Sequence, residues 1–346
     1  MKTMRETLLG KTPEELKELA LGLGLPAFTG KQIARWMYVR KVCDIDSMTD
    51  ISKAGREKLK EACEVGLIRP SGCQVSRDGT KKYLFRLGEG DAVEAVMIPD
   101  EDRKTLCVSS QAGCRMGCKF CMTGRQGFHG HLTVAGILSQ FLSVDEADEL
   151  TNAVFMGMGE PLYNWSAVSR AIEVLTADWG FAWSPKRITL STIGVLPEMK
   201  KFLDTTRCHL AVSLHNPFPD ERAAIMPVQK AWPLQDVIDL IRQYDFTGQR
   251  RVSFEYIMFA GLNDDKRHAD ALYRLLRGLE CRVNLIRFHK IPDAPFETSP
   301  QVMMEIFRDR LSNHGITCTI RASRGEDILA ACGMLAGEHR KKDKPD

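Results

Sequence analysis

The chain has 346 residues, 44% hydrophobic and 27% charged, with a net charge of +3. This composition excludes a disordered, collagenous or coiled-coil chain, and nothing approaches the roughly 18 consecutive apolar residues of a membrane-spanning helix. At about 150 residues per domain, two domains or one large α/β domain with an appendage are expected.

The N-terminus lacks the apolar run of a secretory signal, so a cytoplasmic protein without membrane association is expected. Residues 1–63 hold twelve Lys/Arg against nine Asp/Glu, the whole positive excess. They read as three helices. Thr12-Pro13-Glu14-Glu15 is a helix start, with a hydroxyl cap, proline at the first position and acids in the first turn. Leu16, Leu19, Ala20 and Leu23 follow at helical spacing, and Gly24 and Pro26 end the run. The pattern predicts a second helix over 30–40 and a third over 52–62. Lys31, Arg35, Arg40 and Lys41 form an acid-free stretch around Trp36 and Tyr38. Such a stretch is either a solvated helix face or a phosphate-contacting surface.

Residues 64–103 read as a β-rich connecting segment. Asp78-Gly79 is a hairpin signal, with strands expected over 82–87 and 93–99. From residue 104 to 335 short apolar strands alternate with helices. Strands are expected over 105–109, 153–156, 187–192, 209–215, 252–259, 282–288 and 317–321. Helices are expected over 133–150, 167–177, 234–244, 266–278 and 301–313. This rhythm implies parallel strands with right-handed crossovers. Six or seven units fit an open doubly wound sheet or a partial barrel, and either places ligands at the C-terminal strand ends. A basic tail over 336–346, expected to be disordered, closes the chain.

Eleven cysteines are an odd number and too few for a disulfide scaffold of this length. Three stand in Cys114-Arg-Met-Gly-Cys118-Lys-Phe-Cys121, in a Gly-containing loop after the first core strand. Such a loop can wrap three thiolates around a soft metal centre. Structural zinc normally takes four ligands, commonly as two separated pairs, and no fourth thiolate stands at matching spacing. Three cysteines would leave one iron of a 4Fe–4S cluster open. Buried cysteines, or a zinc loop with a distant fourth ligand, is the alternative.

This motif, together with the Gly-rich strand end Met156-Gly157-Met158-Gly159-Glu160-Pro161, resembles the radical S-adenosylmethionine (radical SAM) superfamily. The likeness is closer still to the bacterial dual-specificity 23S rRNA and tRNA adenine carbon-2 methyltransferases. It is carried by residues 105–111, Gln126-Gly127-Phe128, Thr189-Leu190-Ser191-Thr192, Ser213-Leu214-His215, Val283-Asn284-Leu285-Ile286 and residues 324–333. In the first region Lys31-Gln32-Ile33, Trp36-Met37-Tyr38 and Met48-Thr49-Asp50-Ile51 also match.

The resemblance implies a partial (β/α)6-type radical SAM barrel with a small N-terminal helical domain that docks RNA. It implies one 4Fe–4S cluster on Cys114, Cys118 and Cys121, with SAM on the open iron. Gly159, Glu160, Ser191, Ser213, Leu214, His215 and His289 match SAM contacts, although the family usually has Asn where His289 stands. Cys332 is implied to carry the methyl group as S-methylcysteine, and Cys107 to act as base and resolving thiol, leaving a Cys107–Cys332 disulfide. Glu94 stands in an expected strand, where a carboxylate is commonly a solvated edge charge; the resemblance implies that it contacts the target adenine. The partners implied are 23S rRNA, tRNA and an external electron donor such as a flavodoxin. A monomer is expected. Two rival functions are an adenine carbon-8 rRNA methyltransferase conferring antibiotic resistance and a non-catalytic zinc RNA-binding protein.

Overall fold

The computed structural model describes residues 5–87, 90–246, 248 and 250–335; the tail over 336–346 lies outside the described residues. Two compact units make up the chain. The first comprises Met1–Pro70, Leu132–Asp148 and Ser166–Ser184, and the second comprises Ser71–His131, Glu149–Trp165 and Pro185–Asp346.

In the first unit, α1 (Pro13–Gly22) starts as its sequence predicts. Thr12 Oγ1 accepts from the Glu15 amide at 3.2 Å, and the Glu15 carboxylate accepts from the Thr12 amide at 2.7 Å. This reciprocal cap satisfies two amides that the helix itself cannot. α2 (Thr29–Ala34) runs close against α1 because Gly30 has no side chain. A Cβ there would lie 2.4 Å from the Lys17 backbone nitrogen. The helix predicted over 30–40 does not continue as one: after Ala34 the backbone widens into a π turn over Arg35–Val39. The wider turn lets three successive side chains, Trp36, Met37 and Tyr38, all become buried. Tyr38 Oη donates to the Lys11 carbonyl and accepts from the Gly10 amide. α3 (Lys53–Ala62) is capped by Ser52 Oγ. Two further helices, α4 (Val134–Leu142) and most of α5 (Trp165–Thr176), complete this unit.

The basic stretch of the first unit is largely engaged. The Arg40 guanidinium lies 4.1 Å from the Trp36 ring centre, and Lys41 pairs with Asp148 at 3.3 Å. Lys31 and Arg35 line a shallow pocket that also holds Glu14, Glu173 and Asp178.

The second unit is built on one ten-stranded sheet. Its strands are β1 (Gly72–Val75), β2 (Lys81–Arg86), β3 (Ala92–Asp100), β4 (Arg103–Cys107), β5 (Asn152–Phe155), β6 (Ile188–Thr192), β7 (His209–Ser213), β8 (Val252–Met258), β9 (Cys281–Arg287) and β10 (Thr317–Ile320). Spatial order follows chain order, from β1 at one end to β10 at the other. β4 to β10 are parallel, while β1 to β3 form antiparallel pairs ending on β4. A parallel series in which each strand is the next one's neighbour is the partial-barrel solution, not the doubly wound one, whose strand order reverses at a switch point. The helices after β6 to β9 are α6 (Leu196–Thr205), α7 (Pro219–Ile225), α8 (Leu234–Ile241), α9 (Lys266–Leu276) and α10 (Gln301–Asn313). α6 and α7 lie outside the helices expected from sequence. α6 has a readable signal in Pro197 followed by Met199, Phe202 and Leu203 at helical spacing. Among the described residues, no helix is long and apolar enough to cross a membrane.

Candidate active site

The residues that follow the parallel strands converge on one cavity. Cys114, Cys118 and Cys121 line it, as do Gly159 and Glu160 after β5, Ser191 at the end of β6, and Ser213 and His215 at and beyond the end of β7. Cys332, more than 200 residues later than the cysteine loop, lines it too. A hydrogen bond connects these distant segments: the Met122 amide, next to Cys121, donates to the carbonyl of Gly333, next to Cys332, at 2.7 Å.

The cysteine loop is held at its base. Gln111–Gly113 pairs with Phe128–His131 as a short antiparallel ribbon that encloses it. Burial is the chief force on the thiols. It pushes Cys114 up to about 12 and holds Cys118 well above the ordinary thiol range, with neighbouring Cys121 and Cys114 adding to the effect. Among the described residues, no three Cys, His, Asp or Glu side chains close around a point fit for one metal ion. All three thiols line the cavity, and this soft, all-sulfur donor set suits an iron–sulfur cluster.

After β5 the chain turns sharply at Gly159, whose φ is +98°; a Cβ there would lie 2.5 Å from Gln111 Cβ. The turn lets Gln111 Oε1 accept from the Glu160 amide at 2.8 Å. The Glu160 carboxylate is buried and accepts from the Leu162 amide, the Ile193 amide and Thr192 Oγ1. Burial outweighs these donors and moves its pKa up to about 7. Glu160 therefore ties the ends of β5 and β6 together beside the cavity, and it is a carboxylate poised to receive a cation.

His215 has φ +57°, a strained backbone for a side chain of its size. Asn263 holds it there, donating to the His215 carbonyl at 2.7 Å while accepting from the Phe259 amide. His215 Nδ1 accepts from the Ile257 amide at 3.1 Å, so the ring must be neutral at that nitrogen. Burial, then the charge of Arg222, pushes its pKa down to about 3.

The remaining expected residues stand differently. Leu214 is fully buried and is not among the residues lining this cavity. Cys107, the last residue of β4, is buried and is not among the residues lining this cavity. Burial pushes its thiol up to about 12, a charged Cys332 would push it further, and Arg321 opposes both. Glu94 is no solvated edge charge. It is buried in β3, ion-paired with the buried Lys82 at 3.3 Å, and does not line the cavity. His289 lines a second cavity, together with Cys332, and its ring lies 3.1 Å from Ser323 Oγ.

Two arginines at the site escape sequence reasoning. Arg222 of α7 is fully buried and donates to the carbonyls of Ile193, Ser213 and Leu214 and to Gln229 Oε1, clamping the ends of β6 and β7 under the cavity. Arg321, just beyond β10, lies beside Cys107 and Cys332 and bonds Glu255 at 3.4 Å. Burial works against its charge, but Cys332, Glu255 and Cys107 carry its pKa above the ordinary value. Neither has a local sequence signal, because both sites exist only once separate strands are side by side.

An α/β sheet of parallel strands with three cysteines in the loop after its first parallel strand is the architecture of radical SAM enzymes. The family model "Radical SAM superfamily" matches residues 108–273, and "Ribosomal RNA large subunit methyltransferase N-terminal domain" matches residues 7–65. A probable dual-specificity RNA methyltransferase RlmN of Porphyromonas gingivalis is 60% identical, covering 95% of this chain and 96% of that relative. Its counterpart in Parabacteroides distasonis is 58% identical over 96% and 97%. The crystal structure of a radical SAM methyltransferase from Sphaerobacter thermophilus superposes with a TM-score of 0.90 at 38% identity, over 95% of this chain and 99% of that one. The chain belongs to the RlmN-type dual-specificity RNA methyltransferase family. The zinc-binding, non-catalytic alternative is thereby set aside.

Proposed function

We propose that this enzyme methylates carbon 2 of adenosine in 23S rRNA, at the peptidyl-transferase centre, and in tRNA, at position 37 beside the anticodon. The reaction runs through a methylated cysteine and uses two SAM per turnover. The observation that carries this reading is the convergence of Cys332 with Cys114, Cys118 and Cys121 on one cavity, with Cys107 buried nearby.

Carbon 2 of adenine lies between two ring nitrogens and is electron-poor, so it cannot attack the SAM methyl group as a nucleophile. When bound, the cluster and SAM supply a carbon-centred radical in place of that polar route. Cys114, Cys118 and Cys121 would hold the cluster by three irons, and Glu160, Ser191, Ser213 and His215 would line the SAM position. Glu160 suits the SAM ammonium, which would also draw its pKa back down.

Cys332 would carry a methyl group on sulfur; once that group has lost one hydrogen atom to the SAM-derived radical, its carbon would bond to ring carbon 2, and return of one electron to the cluster would leave an S–CH2–C link between protein and RNA. Cys107 would remove the ring proton and, deprotonated again, attack the Cys332 sulfur, breaking the S–CH2 bond while the released carbon takes a proton to complete the methyl group. The methylated RNA leaves, and a disulfide remains for an external reductant to open. Arg321, whose charge opposes the rise in the Cys107 pKa, stabilises the thiolate this step needs.

The test uses anaerobically reconstituted protein, SAM and RNA, with nucleoside mass spectrometry against 2-methyl- and 8-methyladenosine standards. The carbon-2 isomer is expected, and it disappears in Cys332→Ala. Turnover by Cys332→Ala at the normal rate would defeat the two-cysteine route, and the carbon-8 isomer would defeat the position. Replacing any of Cys114, Cys118 or Cys121 with Ala is expected to abolish bound iron and sulfide, read by elemental analysis without any activity assay.

A further inference from the structure

A second cavity of about 620 Å³ lies in the same unit as the first. Its walls include the starts of β4 to β7, which carry Arg103, Thr105, Asn152, Thr189 and His209, whereas the first cavity is lined by Ser191 and Ser213 at the far ends of β6 and β7. The two cavities share three residues, Ile286, Arg321 and Cys332. Cys332 can therefore be approached from the cofactor side and from the opposite end of the strands.

The charge of the second cavity is one-sided. Besides Arg321, its lining holds Arg103, Lys186, Arg187, Arg251, Arg287 and Arg324, against the single carboxylate of Asp100. Asp100 is itself shared between Arg103, at 2.7 Å, and Arg324, at 3.3 Å. Burial and then the charges of Arg251 and Lys186 hold His209 at its rim below the ordinary histidine range. Lys186, Arg187 and Arg251 are exposed. So many like charges around one opening repel one another unless an anion sits among them.

We infer that RNA enters here. Its ribose–phosphate backbone lies across Arg103, Lys186, Arg187, Arg251, Arg287 and Arg324, and one unstacked nucleotide reaches inward to Cys332. A ligand cavity for one nucleotide falls in the about 300–1,000 Å³ range that this space occupies. Multiple phosphate contacts with a single inserted base distinguish a looped RNA strand from a free nucleotide, which would bring its charge and base together. This inference rests on the RNA methyltransferase reading above, but adds a face and a set of residues to it. It also moves the main phosphate contacts away from the Lys31/Arg35/Arg40/Lys41 stretch, none of which lines this cavity.

The test is the affinity of the full-length protein for a stem-loop RNA with an unpaired adenosine, measured by fluorescence anisotropy across a salt series. Arg187→Glu/Arg251→Glu is expected to weaken binding at least tenfold. The dependence of log affinity on log salt should flatten by about 0.7 for each single-strand phosphate that the variant no longer neutralises. Lys186→Glu, at an exposed position like the other two, should do the same alone to a smaller degree. Lys200→Glu, on α6 and paired with Asp204, controls for net charge and should leave the affinity unchanged. Wild-type affinity and salt slope in both barrel variants would overturn the inference, most plainly if Lys31→Glu/Arg35→Glu abolished binding instead. In that case the methyltransferase reading would survive. A wild-type protein that neither bound nor methylated RNA would overturn both.

Discussion

His215 titrates between pH 3 and 6.5 only when the protein unfolds. In the native state its pKa is about 3, set first by burial and then by Arg222, and its Nδ1 is committed as an acceptor to the Ile257 amide. In the unfolded chain it returns to about 6.5. Above that value both states are neutral and the stability is fully present. As pH falls below it, only the unfolded state gains a proton, so stability is lost progressively until the folded ring protonates near pH 3. At about 1.4 kcal/mol per unit the contribution is on the order of a few kcal/mol. Urea unfolding at pH 7, 5.5 and 4.5 should show a steeper acid loss for the native protein than for His215→Gln. Parallel pH profiles would mean that the ring is already solvated when folded. The resemblance in the sequence places His215 at the site. Nothing local announces its strained backbone, which depends on Asn263, 48 residues later.

Short connections at the strand ends decide the shape of the first cavity, and α7 is the clearest case. Its seven residues bring Arg222 under β6 and β7, where one guanidinium satisfies three backbone carbonyls from two strands. Removing it leaves those carbonyls buried without their donor. Arg222→Met is expected to cost about 1–3 kcal/mol, the range for leaving a buried acceptor unsatisfied, with the loss read as a lower urea midpoint. An unchanged midpoint would show that water or another donor takes over. The long elements were legible because their signals repeat: all seven parallel strands lie within two residues of the predicted bounds, and α10 matches residue for residue. The expected helix over 133–150 stops at Leu142. Its apolar spacing continues through Leu150, but Ser143, Asp145 and the acids beyond it favour caps and turns over helix interior. The cysteine loop was legible because its chemistry is contiguous in sequence. The clamp at Arg222, the neighbourhood of Arg321 and the π turn at 35–39 were not, since tertiary packing creates them.

Across the whole molecule, sequence order and compactness part company. The sequence suggests that residues 1–63 can be cut away as a module, removing RNA methylation while sparing SAM cleavage. The chain, however, passes five times between its two units, and the first unit gathers residues 132–148 and 166–184 around the N-terminal helices. Within that unit, a Cβ on Gly10 would meet Val134 at 2.7 Å, Arg170 pairs with Glu15 at 3.0 Å, and the Tyr38 and Trp179 rings lie 5.6 Å apart. Lys41 lies over the Phe181 ring, which packs edge-on against the fully buried Phe141. Deleting 1–63 would therefore strip cover from parts of α4, α5 and the segment after α5. Each large apolar side chain so exposed loses about 1.5–3 kcal/mol of burial, and three together are already comparable to the about 5–15 kcal/mol that holds a domain folded. The deletion is expected to give insoluble protein, or protein with a thermal midpoint lowered by well over 10 °C, and with SAM cleavage lost along with RNA methylation. A truncated protein that stayed soluble, bound iron and cleaved SAM at the full-length rate would show instead that the helices at 134–142 and 165–176 need no partner from the first 63 residues.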